Sequence, residues 1–178
     1  QVDRSVEWYV YCLGNSQFPG KQGCGSMTVE MKITGLMIDP VSNMPIIVLK
    51  SESGDSILPI WVGIFEANAI AMEMEKIVSP RPMTHDLLKN VIEGLSANIE
   101  RVEITDLRDN TFFAVIRLAR GDEKLDVDSR PSDAMALALR AGAAIHVHTS
   151  VIDKSSATDD DGESLETERL RRWLETVD

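Results

Sequence analysis

Three short stretches of the sequence hold side chains that could do chemistry together. The first is Gly63-Ile64-Phe65-Glu66-Ala67, an expected strand-to-helix junction, which sets Glu66 in a first helical turn near the positive end of the helix dipole. A carboxylate there suits a metal ion; the plainer role is stabilising the helix start. The second is Arg81-Pro82-Met83-Thr84-His85-Asp86, with Thr84 as the expected N-cap and His85 and Asp86 in the turn that follows. An imidazole, with an ordinary pKa of about 6.5, beside a carboxylate suits a general base or a metal ligand. The third is Asp126-Val127-Asp128-Ser129-Arg130-Pro131-Ser132-Asp133, which gathers three carboxylates and a guanidinium. Strand periodicity puts Asp126 and Asp128 on one face, and Pro131 opens a helix with Asp133 at its third position. Hard cations such as Mg²⁺ take oxygen ligands, and Arg130 can hold a phosphate through its forked donors. A salt-bridged strand-to-helix corner is the competing reading. Arg-Pro followed by a hydroxyl residue and Asp recurs in the second and third stretches, and converging helix N-termini would favour an anion. His146 and His148 share a face of the last expected strand, as ligands for a transition metal with a third partner or simply as an exposed strand face.

The elements that must position these groups follow from periodicity. Val29 to Ile38, Pro45 to Leu49 and Ile57 to Val62 are expected strands, with Ser53-Gly54-Asp55 as a turn. Ala67, Ile70, Ala71, Met74 and Val78 trace one helical face, and Leu88, Val91, Ile92 and Leu95 a second, split by Ser79-Pro80-Arg81-Pro82. Ile99 to Leu107 and Thr111 to Leu118 surround Arg108-Asp109-Asn110 as a hairpin, with Phe112, Ala114, Ile116 and Leu118 on one side. Lys124 to Asp128 adds a strand, Pro131 to Gly142 an alanine-rich helix, and Ala144 to Val151 a closing strand. Strands in runs with helices between them predict an α+β domain: a mixed, mostly antiparallel sheet with helices packed on it.

Composition bounds the rest. The 178 residues are 43% apolar and 26% charged, enough for one core domain and not for general disorder. No apolar run nears the roughly 18 to 20 residues that cross a bilayer, and two cysteines make no disulfide framework. The net charge of −11 disfavours a simple electrostatic nucleic-acid binder unless cations intervene. Residues 1–26 hold both cysteines and both tyrosines and end where regular alternation begins at Met27. They read as an N-terminal extension, upstream or artificial; the alternative is an added strand from Trp8 to Leu13 and a Cys12–Cys24 pair. With no secretory signal in view, the cytoplasm is the expected compartment. The core is expected over 27–152, an acidic linker over 153–163 and an amphipathic helix over 164–178, where Leu170, Trp173, Leu174 and Val177 fall at helical spacing.

Taken together, Leu58-Pro59-Ile60-Trp61-Val62-Gly63-Ile64-Phe65-Glu66-Ala67, Arg81-Pro82-Met83-Thr84-His85-Asp86-Leu87 and Asp128-Ser129-Arg130-Pro131-Ser132-Asp133-Ala134 resemble the bifunctional nuclease family. The resemblance covers roughly Met27 to Val151, and Met27-Thr28-Val29-Glu30-Met31 looks like a family start. It implies an α+β domain, self-association and, for plant members, cleavage of both DNA and RNA. The chemistry of the residues then sets the expected roles. Glu66, Asp86, Asp128 and Asp133 are the expected ligands of one or two Mg²⁺ or Mn²⁺ ions, and His85 activates or orients water. Arg81 and Arg130 hold the scissile phosphate, and bound cations answer the charge objection. The rival reading is a noncatalytic binding or regulatory module whose motifs fasten helix starts to strands; a small-molecule hydrolase using the same anion pocket is a third. A homo-oligomer, by default a dimer, is expected from Phe65, Met72, Met74 and Met83 in the helical half.

Overall fold

Alternating apolar and polar residues build most of this molecule, and one sheet collects them. The computed structural model describes residues 27–158 apart from position 41. The expected extension at 1–26 and the helix at 164–178 lie outside the described residues. The strands are β1 (Thr28–Ile38), β2 (Pro45–Ser51), β3 (Ile57–Trp61), β4 (Asn98–Arg108), β5 (Thr111–Arg120), β6 (Glu123–Ser129) and β7 (Ala144–His148). The helices are α1 (Ile64–Met74), α2 (Thr84–Gly94), α3 (Pro131–Ala141) and α4 (Thr149–Thr158). The seven strands lie in the order β3-β2-β1-β7-β4-β5-β6, antiparallel except for the central β4–β7 pair. This is the α+β domain with a mixed, mostly antiparallel sheet that the sequence predicts.

Local chemistry explains the connections. The β4–β5 hairpin turns on Asp109 and Asn110, both at positive φ, the left-handed pair that matches the twist of a two-residue hairpin. Pro131 occupies the first turn of α3, where a missing N–H costs nothing, and Gly142 at φ 65° ends that helix in the left-handed region. α3 is buried along most of its length, from Pro131 to Ala138 except Asp133, and packs on α1, α2, β4 and β5. Its alanines let the neighbouring elements approach closely. Ile47 and Leu49 of β2, Val102 and Ile104 of β4, Val147 of β7 and Leu137 of α3 share one fully buried core with Ile70 of α1 and Val151 of α4.

Four expectations need correction. α1 stops at Met74, so Val78 lies in the connecting segment and is exposed rather than on a helical face. α2 is capped by Met83 and not by Thr84, which is its first helical residue. The closing strand ends at His148, and residues 149–158, of which 153–158 were expected in a linker, form α4, anchored by buried Val151. Finally, the apolar stripe of α2 does not enter the core: none of its residues is fully buried, and Leu88, Val91 and Leu95 are exposed. No helix among the described residues is long and apolar enough to cross a membrane.

The sheet face away from α3 is polar and tightly paired. Glu103, 4% exposed, takes Arg101 Nε at 2.7 Å and Arg117 Nη2 at 2.8 Å; Arg117 also pairs with Asp126, and His148 Nε2 lies 3.7 Å from Glu103. Burial pushes the Glu103 carboxyl up, but the two guanidinium groups overcome it and bring the pKa from 4.5 down to about 2. A depressed carboxylate contributes stability that is fully present above its unfolded pKa and lost as pH falls through the folded one. Glu103→Gln is therefore expected to flatten part of the fall in stability between pH 4.5 and about 2. Asp106, held to about 2 by Lys154 and Arg108, keeps part of the remainder, together with the lowered carboxyls of Asp86 and Asp133. Urea unfolding at stepped pH measures both; an unchanged acid limb in the variant would remove Glu103 from the account.

Candidate functional site

The first turns of α1, α2 and α3 meet at one point, and each carries an acid at its third helical position: Glu66, Asp86 and Asp133. That position favours carboxylates because helix-start N–H groups and the macrodipole attract negative charge. Arg130, the N-cap of α3, ties two of them together. Its Nη1 reaches Glu66 Oε1 at 2.8 Å, while Nε and Nη2 reach Asp133 Oδ2 and Oδ1 at 2.7 and 3.0 Å in a two-pronged pair. Gly63 makes room for this: a Cβ there would overlap Glu66 Oε2, so the bare backbone lets the carboxylate fold back over the start of α1.

His85 joins the cluster from α2. Its Nε2 lies 3.3 Å from Asp133 Oδ1, with the ring largely shielded and Asp133 half-buried. Burial pushes the Asp133 carboxyl up, but hydrogen bonds from Arg130 and His85 prevail and hold it below the usual carboxylate range. Asp133 in turn helps to keep the Arg130 guanidinium firmly protonated, with Glu66 acting in the same direction. With its proton on Nε2, the ring donates to Asp133 and leaves Nδ1 as a proton acceptor.

Asp86 serves a different partner. Its Oδ2 accepts the Met83 backbone N–H at 2.8 Å and its Oδ1 takes Arg140 Nε at 2.5 Å; the two hold its pKa below normal, the backbone bond first. Arg140, with a side chain only 5% exposed, also donates to the carbonyls of Ala136 at 2.9 Å and Ala69 at 3.1 Å. One guanidinium thus joins α1, α2 and α3. The sequence reading missed this residue. Its signal was there: Arg140 lies four positions after Ala136 and three after Leu137, both buried, so a cation sits on an apolar helix face.

The remaining expected members do not converge. Asp126 and Asp128 do share a face, but they pair in register with Arg117 and Val115, alternate to the core-facing Ala114 and Ile116. They therefore lie on the polar side of the sheet, opposite α3. Asp128 is exposed and makes no hydrogen bond or ion pair among the described residues, and the same holds for Arg81. As a metal site the four expected carboxylates do not fit together. Two are held by Arg130, one by Arg140, and the fourth faces away; among the described residues no group of three or more His, Cys, Asp or Glu is arranged to hold a metal ion.

The model of the bifunctional nuclease domain matches residues 47–160, and the chain belongs to that family. An uncharacterized protein of Mycobacterium tuberculosis (strain H37Rv) is 34% identical over 157 residues, which is 83% of this chain and 94% of that protein. Bifunctional nuclease 1 of Oryza sativa subsp. japonica is 30% identical over 106 residues, 57% of this chain but 32% of its own length. Bifunctional nuclease 2 of Arabidopsis thaliana is 29% identical over the same extent.

Replacing Arg140 with Met leaves Asp86 without its cation and the Ala69 carbonyl without its donor. We expect a loss of about 3 kcal/mol, the low end for breaking a buried pair, because Asp86 keeps some solvent. Urea unfolding of the variant checks it, and a loss below about 1 kcal/mol would place Arg140 with ordinary surface pairs.

Proposed function

We propose that this chain hydrolyses phosphodiester bonds of DNA, RNA or both, at the meeting point of the three helix starts. The observation that carries the reading is the His85–Asp133 contact with Arg130 bound to the same carboxylate. Asp133 orients the imidazole, so that Nδ1 can take a proton from an attacking water or hydroxyl. Arg130, more than half exposed, turns donors toward a phosphate that arrives between the helix N-termini. Glu66 and Gly63 fix the other side of the guanidinium. A requirement for Mg²⁺ or Mn²⁺ belongs to the proposal as a question for experiment, and none of these steps depends on it. The plant relatives named as bifunctional nucleases support the substrate class.

A second reading has its own support. Glu66, Asp86 and Asp133 each sit at a helix position that favours acids, and each is already paired with an arginine, the pattern of a structural fastening in a noncatalytic binding module.

The test is cleavage of single- and double-stranded DNA and of RNA, with Mg²⁺, Mn²⁺ or EDTA, by wild type and by His85→Ala, Asp133→Asn and Asp128→Asn purified identically. Loss of His85 or Asp133 should lower the rate by about 100-fold or more, the usual worth of a positioned acid–base group. Asp128→Asn should stay near wild type. Activity lost only with Asp128 would move the site to the polar sheet face. Equal activity in all preparations would indicate a contaminant, and none in any would favour the binding module.

A further inference from the structure

The start of α1 carries an aromatic side chain that the core does not use. Phe65, the second residue of the helix, is 87% exposed, and Ile64 before it is 64% exposed. A helix start gives no local reason for either, since its N–H groups and the macrodipole favour polar and acidic residues. Burial gives none, because Ala67 and Ile70 form the part of α1 that enters the core. Yet Phe65 immediately precedes Glu66, whose carboxylate meets the Arg130 guanidinium at 2.8 Å. The exposed ring therefore stands beside the meeting point of the helix starts.

The cations around that point keep free donors. Contacts with Glu66 and Asp133 occupy at most three of the five N–H groups of Arg130, whose side chain is 64% exposed. Arg81 stands four residues before His85 and is exposed, with no hydrogen bond or ion pair among the described residues. An apolar protein partner suits this mixture poorly, because charged residues are depleted in the core of protein interfaces. A nucleotide strand suits both parts: its phosphates take guanidinium donors, and its bases lay a flat face on an aromatic ring. In a duplex those faces are held by pairing and stacking, so an unpaired base reaches the ring at the least cost.

We propose that Phe65 stacks on an unpaired base of a DNA or RNA strand whose phosphate lies at Arg130, which directs the site to single strands. The position of the phosphate rests on the phosphodiester reading, so the test reads binding and not cleavage. Fluorescence anisotropy follows a short labelled DNA strand, its RNA counterpart, the duplex and an abasic strand of equal length, each checked afterwards for intactness. Wild type and Phe65→Trp should bind the two base-bearing single strands about tenfold more tightly than the abasic strand. Phe65→Ala should lose that margin, while its affinity for the abasic strand and the duplex stays that of wild type. Because residue 65 is exposed, the variants should keep the wild-type circular dichroism and unfolding curve. A Phe65→Ala chain that binds every strand as wild type does, or that weakens equally on the abasic strand, would overturn the proposal. So would a wild type that gains nothing from bases, and a drop in sedimenting mass in Phe65→Ala would give the ring to a second copy instead. Binding that depends on Phe65 without cleavage would keep the stack and remove the hydrolysis reading; cleavage with Phe65 irrelevant would do the reverse.

Discussion

The geometry of the helical layer depends on the buried guanidinium of Arg140. It reaches the Asp86 carboxylate on α2, the Ala69 carbonyl on α1 and the Ala136 carbonyl on its own helix, all from a side chain nearly closed to water. A buried charge without partners is costly, so the three helices are constrained to keep supplying them. His85 precedes Asp86 in the same helical turn, and the pin that fixes Asp86 also fixes how far His85 stands from Asp133. Arg130 performs the matching task nearer the surface, between Glu66 and Asp133. Arg140, its side chain 5% exposed, holds Asp86, and Arg130, 64% exposed, holds Glu66 and Asp133 with His85 beside the latter.

That division bears on the acidic balance of the chain. Each helix start already provides a weak positive field from its N–H groups, and each has drawn a carboxylate into it. Under the proposed reading, a phosphate arriving there would compete for the same donors, with the exposed Arg130 guanidinium beside it. So read, the proposed site is compact and rests on the orientation of a few groups rather than on a broad basic surface.

Much of this architecture was legible because period-2 and period-3.6 patterns depend only on local burial. The strands from Thr28 to Trp61, the hairpin at Asp109-Asn110 and the alanine-rich α3 all follow from that, and so does the meeting of helix starts suggested by the repeated Arg-Pro motif. What stayed hidden depended on tertiary context. An apolar stripe marks a helix but does not say that the core covers its apolar face, and α2 is such a case. The common face of Asp126 and Asp128 was readable, but the layer that face looks toward was not, since strand alternation has no sign until helices are placed. α4 was overlooked because Thr149–Thr158 has few apolar residues and hangs on Val151. Arg140 resembled an ordinary cation in a last helical turn, where the macrodipole would account for it.

The strand order carries a consequence for how the chain reaches this state. β7 is the last of the seven strands in sequence, yet it sits in the middle, joining β3-β2-β1 on one side to β4-β5-β6 on the other. Each three-strand half is a run of antiparallel neighbours in sequence and can form from short-range contacts. Their union waits for a strand that leaves the ribosome after all the others, and it includes a parallel pairing with β4 across some forty residues. During synthesis the molecule is thus two open half-sheets with unpaired inner edges, exposed to stray strand pairing until β7 closes them.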